Sequence, residues 1–335
     1  MARLRYVSTD MPGYTRKKQG RGFTYLDEQG GTIRDPDVRQ WINALVIPPA
    51  WMDVWICPYP DGHILATGRD DKGRKQYIYH PQWQEVRSQK KFDSLYDFGQ
   101  ALPHLRAVTD EHLRQRKLSR ERVLAALVRL LESTLIRVGN DEYAQKNDSR
   151  GLTTLEDDHA EINGSQIVFD FVGKSGKEHT VALRDRRLAR VVKQCQDIPG
   201  YELFQYYDEN GEHRVVDSSD VNAYLQEVTG QPFTAKVFRT WGGSTLAIKY
   251  LAEQCREVDG TTAARECVAH VAGTLGNTKV ISRDYYIHPQ VLQAHQTGAL
   301  QAIYDEQAKQ STDAYGLAPE ERTLMQLIAQ ANGRK

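Results

Sequence analysis

Five residues in separate short motifs, Arg137, Lys174, Arg239, Asn277 and Tyr286, form a set suited to metal-free attack of a tyrosine hydroxyl on a phosphodiester. They stand in Leu135-Ile136-Arg137-Val138-Gly139-Asn140, Phe171-Val172-Gly173-Lys174-Ser175-Gly176-Lys177, Lys236-Val237-Phe238-Arg239-Thr240-Trp241-Gly242-Gly243, Leu275-Gly276-Asn277-Thr278 and Tyr286-Ile287-His288-Pro289. Transesterification at phosphorus passes through a pentacoordinate state whose non-bridging oxygens carry negative charge. No cluster of Asp and Glu accompanies these motifs to hold divalent metals, whereas two arginines do, and their planar forks can donate paired hydrogen bonds to those oxygens. Loss of one such preorganised donor typically costs about 3 kcal/mol of transition-state stabilisation. Asn277 can add a neutral donor. The leaving alkoxide needs a proton, and the Lys174 ammonium, with an ordinary pKa of about 10.4, is protonated at pH 7 yet far more acidic than an alkanol. Tyr286 is a weak nucleophile as the phenol, and nearby arginines favour its phenolate. The covalent ester stores the energy of the broken bond, so resealing requires no ATP; no cofactor and no metal are expected.

The elements that must position these groups are readable in outline. Roughly the first 90 residues read as short strands cut by Gly, Asp and Pro turns, with strands at Phe23–Asp27, Val54–Cys57, His63–Thr67 and around Tyr77–Tyr79, and a helix near Asp37–Leu45. From about Lys91 the spacing becomes helical, most clearly over Val123–Leu131, which places a domain boundary between residues 88 and 100. One hairpin interrupts the helices: Gln166–Phe171, a Gly173–Gly176 turn, then His179–Leu183, with Lys174 on or beside its tip. Thr234-Ala235-Lys236 introduces the helix of Arg239, and a helix over Thr261–Leu275 ends at Gly276, leaving Asn277 just past a helix end. The basic run Arg114–Arg122 reads as a solvated helix face or linker.

Lys+Arg and Asp+Glu each number 44 in 335 residues, so any surface for a polyanion must be a local patch. Cys57, Cys195, Cys255 and Cys267 stand far apart with no Cys-x-x-Cys pair, which argues against a disulfide framework or zinc site and for a reducing cytosol. No apolar run reaches the roughly 20 residues of a membrane span.

The order and flanks of the five motifs resemble the type IB DNA topoisomerases of the small bacterial and poxvirus kind. The resemblance covers nearly the whole chain. It implies an α+β architecture: a small amino-terminal antiparallel sheet domain over residues 1–92, a mainly helical, tyrosine-recombinase-like catalytic domain with a hairpin over 93–310, and a polar, partly helical tail over 311–335. It implies that Arg137 and Arg239 clamp the scissile phosphate, that Lys174 is the general acid, and that Tyr286, directly before Ile-His-Pro, forms a 3′-phosphotyrosyl bond. The competing nucleophile is Tyr285; His288 is expected to be structural. Lys72, Arg74, Gln76, Tyr77 and Tyr79 look like the family's DNA-contacting strand, Tyr143 and the following Gly151-Leu152-Thr153-Thr154-Leu155 are also familiar there, and Lys236 is a further phosphate contact. Tyr77 and Tyr79 alternate and could instead form one face of a sheet core. The expected protein is a nucleoid-associated cytoplasmic monomer that clamps duplex DNA between its domains.

Two positions depart from the pattern. Asn277 stands where many relatives have His, which keeps a donor but not a titrating imidazole. Val237 stands where many have Asp, removing a capping box from the helix of Arg239, at about 1 kcal/mol. A tyrosine site-specific recombinase would share the Arg, Lys, Arg, Tyr chemistry. Recombinases usually show His-x-x-Arg where this chain has Lys236-Val237-Phe238-Arg239, and a helical rather than strand-rich amino-terminal part. A catalytically silent DNA-binding protein is the other rival, and the intact residue set argues against it.

Overall fold

The computed structural model describes residues 4–141, 144, 148–255 and 259–333, with the backbone alone for 84–90. The chain forms two compact units, Met1–Lys91 and Phe92–Lys335.

The first unit is a five-stranded antiparallel sheet of order β2-β1-β3-β4-β5, built from β1 (Tyr14–Gln19), β2 (Gly22–Leu26), β3 (Met52–Ile56), β4 (Ile64–Arg69) and β5 (Lys75–Tyr79). Helix α1 (Pro36–Ala44) starts where Asp35 accepts hydrogen bonds from the backbone N–H groups of Asp37 and Val38 and where Pro36 fits the first turn. It buries Ile42 in a core with Ile33, Ile47, Val54, Ile56 and Ala66. Ile78 packs on that core, so the strand period of two sends Tyr77 and Tyr79 to the other face. Their rings stack there at 5.7 Å, with Tyr77 exposed. The tyrosines are therefore not core residues.

Helix α2 (Pro81–Leu113) begins well before the helical spacing becomes legible near Lys91, and the two units divide inside it. Pro81 suits a first helical turn, where its missing N–H has no intrahelical partner to lose. The second unit is built around α3 (Arg120–Thr134), capped by Ser119 and buried along nearly its whole length. The basic run before it is not simply solvated: Arg122 is buried and donates to the carbonyls of Arg116 and Lys117. Strands β6 (Ala160–Asn163), β7 (Gln166–Gly173) and β8 (Lys177–Arg184) form an antiparallel sheet in that order, which adds a third strand to the expected hairpin. Helix α4 (Arg186–Gln196), the short pair β9 (Gln205–Tyr207) and β10 (His213–Val215), and α5 (Ser218–Thr229) follow. Then come α6 (Lys236–Gln254), α7 (Gly260–Leu275), α8 (Lys279–Tyr285), α9 (Pro289–Gln296), α10 (Ala299–Ala308) and α11 (Pro319–Ala331).

Helix α11 buries Leu324, Leu327 and Ile328 in the same core as α3 and α6. It is tied down by a largely buried charge cluster. Arg106 on α2 bridges Glu132 and Glu321, each at 2.7 Å, donates to the Gly316 carbonyl, and Trp241 Nε1 on α6 donates to Glu321 at 2.9 Å.

Candidate active site

The site in the second unit is assembled from helix ends. Helix α3 stops at Leu135, which adopts a left-handed conformation (φ 56°) and turns the chain toward Arg137. A non-glycine residue there costs on the order of 1 kcal/mol, held by the structure around it. The Arg137–Gly139 segment is braced by the Gly151-Leu152-Thr153-Thr154 turn: Leu152 N–H donates to the Arg137 carbonyl at 2.8 Å and Thr153 N–H to the Val138 carbonyl at 2.6 Å. Gly139 has φ 113°, and a side chain there would strike Thr153 Oγ1.

Arg239 enters from the first turns of α6 and is 6 % exposed. Its two terminal nitrogens donate to the carbonyls of Leu135 and Leu275, the ends of α3 and α7, so the side chain joins two helix termini. These carbonyls are among those a helix leaves without an internal partner, and they carry the negative end of its dipole. Nε of Arg239 is buried and has no hydrogen-bond partner among the described residues. The start of α6 has no side-chain cap because its N-cap residue is Ala235, so the capping box expected from Thr234 is out of register; Val237 N–H donates to the Thr234 carbonyl, and Asn222 accepts from Ala235 N–H.

Helix α7 ends at Gly276 in the left-handed conformation (φ 61°), and Thr278 caps α8, so Asn277 is held between two helix boundaries. Its Oδ1 accepts from Arg137 at 2.6 Å. A guanidinium can only donate, so the amide must present oxygen to Arg137 and keep Nδ2 for another acceptor. Nδ2 is buried and has no partner among the described residues.

Tyr286 closes α8, half-buried, with its ring centroid 5.2 Å from the Arg239 guanidinium carbon. Tyr285 beside it is exposed. Gly242 and Gly243 on α6 explain the close approach. A Cβ on Gly242 would overlap the Leu135 side chain, and one on Gly243 would lie 2.7 Å from the Tyr286 carbonyl oxygen. Ser244 lies against the same turn: its hydroxyl donates to the Thr240 carbonyl at 2.8 Å, with the Tyr286 carbonyl 3.2 Å away, and accepts from His288 N–H at 2.9 Å. His288 is buried, caps α9 through Nδ1, and is pushed down to about 4 by burial.

Lys174 is exposed at the tip of the β7–β8 hairpin, in a turn with Ser175 at φ 68° and Gly176 at φ 71°. Gly173, directly before it, lines a cavity of about 20 Å³ together with Arg137, Arg150, Phe171, His179, Arg239 and Leu275. No carboxylate lines it among the described residues. Burial and the neighbouring Arg137 push Arg239 down to about 10, against the opposing effect of Tyr286, and burial lowers Arg137 as well. Two desolvated guanidiniums, with Arg239 Nε and Asn277 Nδ2 lacking an acceptor among the described residues, form a site that an anion would relieve.

The structure thus brings Arg137, Arg239, Asn277 and Tyr286 together and puts Lys174 on the adjoining hairpin. Lys236 is exposed at the first residue of α6, and Tyr143 lies outside the described residues. In the first unit, Asp70 organises the β4–β5 turn. Oδ1 accepts from the N–H groups of Lys72 and Arg74; Oδ2 accepts from Arg74 Nε and Gln76 Nε2, both at 2.8 Å. The Arg74 bonds hold the Asp70 carboxyl down to about 2. Asp70, His179 and Ser244 were not singled out by sequence reading. Ser244, next to the Gly242-Gly243 pair on a helix, is the one that small-residue spacing could have flagged.

A family model for the catalytic core of eukaryotic DNA topoisomerase I matches residues 80–314, and one for the amino-terminal domain of bacterial DNA topoisomerase IB matches residues 22–70. DNA topoisomerase 1B of Acanthamoeba polyphaga mimivirus is 33 % identical over 252 residues, covering 74 % of this chain and 75 % of that protein. DNA topoisomerase 1B of Vaccinia virus (strain Copenhagen) is 26 % identical over 147 residues, 43 % of this chain and 46 % of the viral one. DNA topoisomerase 1 alpha of Arabidopsis thaliana is 28 % identical over 142 residues, 42 % of this chain and 15 % of the plant protein. With the core model spanning well over half of its length and a relative of this identity matched over three quarters of both sequences, the chain belongs to the type IB DNA topoisomerases, isomerases that act on DNA.

Proposed function

We propose that the chain relaxes supercoiled duplex DNA by cutting one strand through a 3′-phosphotyrosyl bond to Tyr286, letting the free end rotate, and resealing, with no ATP and no required metal. The paired, desolvated guanidiniums of Arg137 and Arg239 beside the Tyr286 ring carry this reading. Tyr286 Oη attacks phosphorus and the bond to the 5′-oxygen breaks. Arg239 Nε and Asn277 Nδ2 donate to the non-bridging oxygens, where charge accumulates in the transition state. Arg137, holding Asn277 through Oδ1, neutralises the same charge. Lys174 protonates the departing oxygen, and reversal of these steps reseals the strand. Binding draws on Lys72, Arg74, Gln76, Tyr77 and Tyr79 of the first unit and on Lys236.

The test is relaxation of positively and negatively supercoiled plasmid in EDTA without nucleotide, with denaturant trapping of a protein-linked 3′ end. Tyr286→Phe should bind duplex nearly as well and form no adduct, whereas Tyr285→Phe should still form it; an adduct from Tyr286→Phe would displace Tyr286 as nucleophile.

A further inference from the structure

His179 occupies a socket made by two glycines that belong to different motifs. Its ring, on β8, stacks on Phe171, its cross-strand partner on β7, at 5.2 Å and 13°. A Cβ on Gly173 would lie 2.7 Å from the ring's Cδ2 and 2.8 Å from Nε2, and a Cβ on Gly276 would overlap Cε1 and lie 3.0 Å from Nε2. Gly276 needs to be glycine for its backbone alone (φ 61°). Gly173 does not: at φ −94° and ψ −166° its backbone suits any residue. Space for the ring is what excludes a side chain there. One ring therefore rests against the residue just before Lys174 and against the residue just before Asn277. Burial, then the charges of Arg137, Arg239 and Lys177, lower its pKa, so the ring is neutral at neutral pH.

We propose that His179 is a positioning residue that docks the Lys174 hairpin onto the Asn277 turn, so that the proton donor and the phosphate-binding donors reach the scissile phosphate in one fixed geometry. This rests on the roles given above to Lys174 and Asn277. Loss of the ring removes neither side chain but lets the hairpin, and Lys174 with it, drift relative to the phosphate. The defect should resemble loss of the acid more than loss of charge stabilisation.

The experiment is single-turnover cleavage by the full chain of two duplexes, one with the ordinary bridging 5′-oxygen at the scissile phosphate and one with sulfur there. Sulfur leaves as a thiolate, which needs little protonation. His179→Ala should slow cleavage of ordinary DNA by roughly 10- to 100-fold, the scale of a small misplacement of a catalytic group, and sulfur should recover most of that loss. Gly173→Ala, whose backbone tolerates alanine, should expel the ring and give the same signature even if His179→Ala folds poorly. The double variant should be no worse than either single one, because the new methyl fills space the ring has left. Lys174→Ala and Arg239→Ala are the references, rescued and not rescued by sulfur respectively. If sulfur rescues Lys174→Ala but neither His179→Ala nor Gly173→Ala, or if both of these cleave ordinary DNA at the wild-type rate, the docking role is wrong. Failure of sulfur to rescue Lys174→Ala overturns the acid assignment, and this proposal with it.

Discussion

Asn277 places a neutral amide against Arg137. Its Oδ1 is committed to Arg137, which leaves Nδ2 as the donor, and an imidazole could divide its two nitrogens in the same way. Asn277→His should therefore retain activity. Asn277→Ala removes both groups and should slow cleavage and religation alike by roughly 100- to 1,000-fold, the range for losing one preorganised donor. Full activity of the alanine variant would make Asn277 structural. Nothing in the site should titrate as an ordinary histidine: burial holds His288 near 4, and burial with the flanking arginines lowers His179. Both are bases with lowered folded values, so they stay neutral above the usual imidazole range and take up protons only on acidification. The wild-type cleavage rate should show no imidazole-like limb between pH 6 and 8, and a limb that disappears in a His179 variant would contradict this.

At the scale of elements, the site depends on how closely α6 lets α8 and the end of α3 approach. Gly243→Ala puts a methyl 2.7 Å from the Tyr286 carbonyl and 3.3 Å from Leu275, and backbone cannot yield as a flexible side chain can. The expected cost is about 1–3 kcal/mol of stability and a cleavage loss of up to about 100-fold through displacement of Tyr286. Thermal unfolding and single-turnover rates measure these separately, and wild-type cleavage would show that α8 can shift without harm. The brace on the far side of α6 is Glu321, which holds Arg106 and Trp241. Glu321→Ala leaves the part-buried Arg106 charge with Glu132 alone as its carboxylate and should destabilise the second unit by about 1–3 kcal/mol, read from denaturant midpoints at unchanged slope. Unaltered stability would mean that Glu132 and the Gly316 carbonyl suffice for Arg106.

For the whole molecule, charge is balanced, with 44 basic and 44 acidic residues, so DNA affinity must come from local cations rather than a general field. Each phosphate contact should contribute about 0.9 to the slope of log affinity against log salt. Lys72→Ala and Lys236→Ala should each flatten that slope by about one. Arg74 is different, because Asp70 already pairs with it. Arg74→Ala should change the slope less than Lys72→Ala, and Asp70→Asn, which releases Arg74 and Gln76, should steepen it while weakening discrimination among base pairs. The Asp70 carboxyl is held down to about 2, so this pairing is present above the ordinary carboxylate range and is lost only as pH falls toward that value. A slope unchanged by Lys72→Ala would remove the β4–β5 turn from the interface.

The sequence by itself determined the five candidate residues and the local devices that carry them. A Gly-Lys-Ser-Gly turn between alternating strands, a helix ending at Gly276 and a Thr278 cap are short-range patterns set by backbone sterics and hydrogen bonding within a few residues. The start of α2 was not legible, because nothing before Lys91 in it shows a readable apolar spacing, and β1, Tyr14-Thr15-Arg16-Lys17-Lys18-Gln19, carries too little apolar alternation to mark a strand. Only the tertiary structure decided what each candidate touches. Arg239 ties together two helix ends, Arg137 meets Asn277 across 140 positions, and Glu321 meets Trp241 across 80. The socket of His179, the paired bonds of Asp70 and the burial of α11 are of the same kind. Such contacts join groups that no local period relates, and they exist because folding desolvates charges and donors that must then find partners wherever the packed helices and strands bring them.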